Sequence, residues 1–160
     1  MSGLQSEPRP FDVAMAIEKA LAFNSTSAAA KNIMTERLEN PLLTVLADPQ
    51  MVETVLRNLI GNAVSFAERD GTVSSEARRD EGEVVITIRD NGVGIPSKRL
   101  VHLFNFESGA SIVGTEGEEK GTGQGLQLCK ELIELQGGVL SVESTVGQGS
   151  TFRFTLPSAI

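Results

Sequence analysis

Two asparagines and one aspartate are the first residues here that could do chemistry. Asn58 and Asn62 stand four apart in "VLRNLIGNAVSF", and Asp90 ends the run "EVVITIRD" just before "NGVGIP". At that spacing on a helix the two amides project from one face. An amide carbonyl can ligate a hard cation such as magnesium, which keeps water and phosphate oxygens in its shell. A carboxylate at the end of a buried strand is an acceptor in a pocket, and an exocyclic amine is a natural partner for it. A third feature is "KGTGQGL", where Gly121, Gly123 and Gly125 crowd the mouth of a helix. The first N–H groups of a helix are unpaired and carry partial positive charge, so glycines there let a phosphate approach. Each feature also has a plainer reading. The asparagines could be a solvated helix flank, Asp90-Asn91-Gly92 a turn, and the glycines a hinge beside a mobile lid at about 105–120.

These groups need elements to hold them. "DPQMVETVLRNLIGNAVSFAERDG" predicts the best helix of the chain, with Asp48 as N-cap, Pro49 in the first turn and Gly71 at the exit. Val52, Val55, Leu56, Leu59, Ala63 and Phe66 form its apolar stripe, and Thr54, Asn58, Asn62 and Ser65 run beside that stripe. "PFDVAMAIEKALAF" predicts a short strand and an amphipathic helix ending near Asn24. "KNIMTERL" and "PLLTVLA" predict short strands. "TVSSEAR" and "EVVITIRD" pair as a hairpin, and "GVLSVES" and "STFRFTLP" pair around "TVGQG". Between the hairpins comes the glycine helix, with Leu126, Cys129 and Ile133 on its apolar side. The sum is an α+β fold, a two-layer sandwich of a mixed, mostly antiparallel sheet with helices on one face.

Composition narrows the function classes. The 160 residues suit one domain, expected over residues 10–160 after an N-terminal tail or linker at 1–9. A formal charge of −7 opposes nonspecific nucleic-acid binding, which needs a basic footprint. No apolar run is long enough to span a bilayer, and direct membrane contact is not expected. One cysteine, Cys129, rules out an internal disulfide, and with one histidine zinc chemistry has little material. There is no GxxxxGK[ST] loop, and "GTGQG" lacks the dinucleotide-binding spacing.

Taken in order, "DPQMVETVLRNLIGNAVSFA", "DNGVGIP", "LFNFESG", "GTGQGLQLCKELIELQGG" and "GQGSTFRFTLP" resemble the N, G1, F, G2 and G3 boxes of the catalytic ATP-binding domain of bacterial sensor histidine kinases. The resemblance covers about Pro10 to Pro157. It implies the Bergerat-type (GHKL) nucleotide-binding fold shared with gyrase B, mismatch-repair and chaperone ATPases. It implies ATP and Mg2+ as ligands, with Asn62 on magnesium and Asn58 near the phosphates as the catalytic pair. It also implies adenine recognition by Asp90 and a lid anchor at Phe104 and Phe106. The remaining positions implied at the nucleotide are Ser65, Phe66, Gly92, Gly94, Ile95, Lys120, Gly121, Thr122, Gly123, Gln124, Gly125, Leu126 and Thr151.

The departures are informative. Hydrolysing members of the superfamily carry a glutamate base where this chain has Asn58, an amide without base chemistry at neutral pH. Where the kinases usually carry a phosphate-touching lysine this chain has Ser65, leaving Lys98 or Lys120 to compensate, and Gln124 replaces the usual leucine. His102, in "RLVHLFNF", lacks the acidic neighbour of a phosphoacceptor motif. The resemblance therefore implies a histidine kinase domain acting on a histidine of a separate dimerisation/phosphoacceptor domain. A response regulator would follow downstream, in a cytoplasmic setting that includes the cytoplasmic part of a membrane-bound sensor. The isolated domain is expected to be monomeric. A serine kinase of the anti-sigma type, and a degenerate nucleotide-binding or interaction domain, are the alternatives.

Overall fold

Side-chain alternation decides which way the central strands face. In β5 (Glu83–Asp90) Val84, Ile86 and Ile88 are fully buried on one side, and β7 (Gly149–Pro157) buries Phe152, Phe154 and Leu156 on the same side. Arg89, Thr151 and Arg153 take the opposite face. The structure, a computed structural model, describes residues 5–38, 43–96, 98–99 and 122–159, the last segment with side chains from Gly125 onward.

The remaining elements are β1 (Arg9–Asp12), α1 (Val13–Phe23), α2 (Ser25–Ala30), β2 (Met34–Arg37), β3 (Thr44–Ala47), α3 (Pro49–Phe66), β4 (Thr72–Asp80), α4 (Thr122–Leu135) and β6 (Leu140–Thr145). The main sheet runs β2-β4-β5-β7-β6. Its β2–β4 pair is parallel and the other three pairs are antiparallel. β1 and β3 form a separate antiparallel ribbon, joined to the end of β7 by the Val45–Ser158 bridge. Helix α3 lies between α1 and α4 over β5, so the two-layer sandwich expected from the pattern is the fold. The short helix α2 and the separate ribbon were not foreseen.

Helix α3 holds the core together. Pro49 opens it, and the Asp48 side chain accepts the Gln50 and Met51 N–H groups at 3.0 and 3.3 Å. All six stripe residues expected to pack, from Val52 to Phe66, are buried. The exit differs from expectation. The helix stops at Phe66, and Ala67 is already extended, at φ −68° and ψ 150°. Gly71 serves the following turn, donating to the Glu68 carbonyl at 2.8 Å. Cys129, Leu126 and Ile133 of α4 face α3 and are fully buried, so Cys129 is core. At the N-terminus, Ser6 donates to Gln136 at 3.2 Å and the Glu7 N–H to Asp48 at 2.9 Å. The segment expected as a tail is therefore tied to the body at residues 6, 7 and 9.

Candidate functional site

The inner face of the sheet ends on a polar rung. The two-residue period that buries Val84, Ile86 and Ile88 carries Asp90 to the same face, and its residue is only 2% exposed. Strand register sets Asp90 opposite Ser150 of β7, and Ser150 opposite Ser144 of β6. Asp90 Oδ1 accepts the Gly92 N–H at 2.7 Å. Its Oδ2 is buried and has no partner among the described residues. Burial pushes this carboxyl up from 3.8 to about 6, opposed by the Gly92 and Ser150 backbone N–H groups and by the charge of Lys31. A buried acceptor with an unmet bond is a vacancy that an N–H donor fits.

The chain after Asp90 is clasped from both sides. The Val93 N–H donates to the Phe66 carbonyl at 3.2 Å, and the Gly147 N–H donates to the Val93 carbonyl at 2.8 Å. The buried Ile95 gives its N–H to Ser144 Oγ at 2.6 Å, which in turn lies 2.8 Å from Ser150 Oγ. Gly92 and Gly94 are there for packing. A Cβ on Gly92 would stand 1.9 Å from the Phe66 carbonyl oxygen, and one on Gly94 (φ +78°) would stand 2.3 Å from that of Thr145. The close approach at this pair is to the protein's own backbone.

The polar edge of α3 faces α4. Asn62 is buried, and Asn58 is half-buried with its Nδ2 donating to the Thr54 carbonyl at 2.8 Å. A Cβ on Gly125 would lie 2.9 Å from Asn58 Oδ1, so α4 needs a glycine in its first turn to pass this side chain. Ser65 Oγ is buried without a partner among the described residues, beside the buried Phe66. Glu53 pairs with Lys19 of α1 at 3.2 Å, apart from the asparagines. Two of the expected positions stand elsewhere. Leu126 is fully buried in the core. Thr151 lies on the outer face of the sheet, where its Oγ1 accepts from Arg89 at 3.3 Å. Ser150 is the β7 hydroxyl on the Asp90 face, as counting back by twos from Phe152 and Phe154 requires. Phe104, Phe106, Lys120 and Gly121, with the whole of the expected lid at about 105–120, lie outside the described residues. Thr122, Gly123 and Gln124 contribute backbone to the first turn of α4. Lys98 is exposed.

The residues that pattern reading missed are Ser144, Ser150 and Lys31. The serines could have been found from hairpin register. Lys31 could not, because it reaches the site from a segment 33 positions away.

Residues 47–160 match the family described as "Histidine kinase-, DNA gyrase B-, and HSP90-like ATPase". The chain belongs to this family. Within it, the chain is a catalytic ATP-binding domain of the sensor histidine kinase kind. It is 42% identical over 123 residues to the circadian input-output histidine kinase CikA of Synechococcus elongatus, covering 76% of this chain and 16% of CikA. Full-length ShkA in complex with AMPPNP superposes with a TM-score of 0.79 at 28% identity, over 99% of this chain and 32% of that one. Histidine kinase ThkA in complex with the response regulator protein TrrA superposes at 0.77 and 21% identity, over 96% and 42%, a likeness of fold. The chain spans well under half the length of the curated relatives it matches first. No helix among the described residues is long and apolar enough to cross a membrane.

Proposed function

We propose that this chain holds Mg-ATP and presents its γ-phosphoryl to a histidine on a separate dimerisation/phosphoacceptor domain. The observation that carries the reading is the buried, unpaired Asp90 Oδ2 at the end of the inner face, in a fold of this family. Asp90 accepts the exocyclic amine of adenine, and the Ser144–Ser150–Ile95 clasp keeps the surrounding loop in place. Asn62 offers an amide oxygen to magnesium, a ligand type that leaves the rest of the shell to water and phosphate oxygens. The N–H groups of the first turn of α4 face the phosphates. Bound ATP supplies the phosphoryl group. Transfer of that kind depends on positioning and charge neutralisation more than on covalent chemistry from the protein.

Asn58 favours a kinase over a hydrolase. Its amide is committed to the Thr54 carbonyl and packs against Gly125, and an amide cannot take a proton from water at neutral pH. ShkA in complex with AMPPNP and ThkA in complex with a response regulator protein support the same nucleotide class and a response regulator downstream. Calorimetric titration with ATP, with and without Mg2+ and against GTP, tests the site. Saturable binding that strengthens with Mg2+ and rejects GTP is expected, and absence of ATP binding overturns the reading. With labelled ATP, label should appear on an added phosphoacceptor domain and not on this chain alone. Label on this chain alone would assign the acceptor here.

A further inference from the structure

Three polar contacts meet at one hydroxyl beside Asp90. Ser144 Oγ accepts the Ile95 N–H at 2.6 Å, lies 3.2 Å from the Gly149 carbonyl oxygen and lies 2.8 Å from Ser150 Oγ. A serine hydroxyl has one proton and two acceptor positions. A carbonyl can only accept, so the Ser144 proton goes to Gly149. Ile95 fills one acceptor position, and Ser150 then donates its own proton into the other. No other assignment satisfies all three contacts. Two of the partners are backbone groups, and both are held. The loop before Ile95 is clasped through Val93 to Phe66 and Gly147. Gly149 is pressed against β5, where a Cβ on it would stand 2.1 Å from the Asp90 carbonyl oxygen.

The consequence falls on Ser150. It is buried and stands directly opposite Asp90 on the inner face. The Cβ atoms of such a pair lie about 5 Å apart. With its proton turned to Ser144, Ser150 Oγ shows only lone pairs on its other sides, beside an Asp90 Oδ2 that has no partner among the described residues. We propose that Ser144 is a positioning residue that sets base specificity: by holding the Ser150 proton it makes this polar rung acceptor-only, so that a purine is admitted with an exocyclic amine in the adenine position and refused with an oxo group there. An amine brings N–H donors to such a rung. An oxo group sets lone pairs against lone pairs and leaves buried acceptors unmet, the stronger kind of rejection. Ser144 itself touches no ligand. The inference rests on the adenine-site reading of Asp90, and assigns the residue that keeps the second acceptor from turning donor.

ATP and inosine triphosphate differ in that group, and calorimetric titration with each, in Mg2+ at constant pH, gives the preference between them. The parent should prefer ATP. In Ser144→Ala the Ser150 hydroxyl is free to turn and donate to an oxo oxygen. The preference should then shrink about tenfold, with inosine triphosphate bound more tightly than by the parent. Ser144→Thr keeps the hydroxyl and should keep the preference. Ser150→Ala removes the second acceptor and should also lose preference. Adding Ser144→Ala to it should change the preference by less than about twofold, since no hydroxyl is left to orient. Equal losses for both nucleotides in Ser144→Ala would reduce Ser144 to a prop of the Ile95 loop and overturn the proposal. An unchanged preference, or a Ser144 effect that persists in full without Ser150, would do the same. Should Ser144→Ala fail to fold, Ser150→Ala carries the test, and a full preference kept there overturns the proposal. A parent that binds both nucleotides alike sinks the adenine reading and this inference with it. A parent that prefers ATP while the variants keep that preference sinks the inference alone.

Discussion

The two ends of α3 are built to opposite specifications. At the N-terminal end the capping groups are answered. Asp48 caps the Gln50 and Met51 N–H groups and receives Glu7, and its own N–H donates to Gln136 Oε1 at 2.9 Å. Gln136 is in turn anchored through Nε2 to the Leu132 carbonyl at 3.1 Å. At the C-terminal end the backbone carbonyls are answered by Lys31 and Val93, while Ser65 Oγ and Asp90 Oδ2 are buried and have no partner among the described residues. Native structures leave few such atoms, since each unmet buried group costs about 1–3 kcal/mol. One end of the helix is finished by folding. The other carries the unmet groups on which the proposed nucleotide site rests.

Changing Asp90 should break the comparison most. With Asp90→Asn, the adenine amine would face an amide and the buried charge would be gone, so ATP affinity should drop about 100-fold. The same variant should be more stable without nucleotide. The carboxyl is raised from 3.8 to about 6 in the folded protein, so ionisation opposes folding. The penalty is absent below about pH 4, grows between 4 and 6, and is complete above 6, where it reaches on the order of 3 kcal/mol. Urea unfolding at pH 7.5 checks this, and a less stable variant that still bound ATP would remove Asp90 from the ligand end. For the same reason ATP affinity of the parent should decline as pH falls through about 6. Calorimetry across that range would expose a flat profile.

Gly92→Ala should act on folding. Its Cβ would meet the Phe66 carbonyl, backbone against backbone with no flexible side chain to give way, so a loss of about 2–4 kcal/mol is expected. Chemical denaturation measures it. A tolerated alanine would mean that the loop and the end of α3 move apart freely.

Local pattern was enough for most of the elements and for the face on which Asp90 stands. Alternation in "EVVITIRD" carries Asp90 to the core face, and Asp48-Pro49 marks the start of α3. What escaped was set by bonds between distant segments. The exit of α3 falls at Phe66 because Lys31 and Val93 take its last carbonyls, and neither is visible from the helix itself. Gly92, Gly94 and Gly125 looked like room for a ligand, and their neighbours proved to be Phe66, Thr145 and Asn58. Thr151 stands on the outer face and Ser150 on the inner one, because strand parity decides the face. The short helix α2 has only six residues and no apolar period to announce it.

Asn62→Ala should act on the ligand alone. If Asn62 gives its amide oxygen to magnesium, ATP affinity should fall about tenfold with Mg2+ and little in its absence. Equal losses under both conditions would take the metal away from Asn62.

The smallest change belongs to the finished end. Gln136→Met keeps the length and bulk of the side chain and removes the acceptor of the Asp48 N–H. Stability should fall by about 1 kcal/mol, the order expected for one unanswered N–H. ATP affinity should not change at any Mg2+ concentration, because the two ends are joined by the rigid helix and share no polar partner. A Gln136→Met protein that lost ATP affinity as well as stability would show the ends to be coupled. The N-terminal clasp, which also holds Ser6 and Glu7, would then be part of the site's control and not merely its foundation.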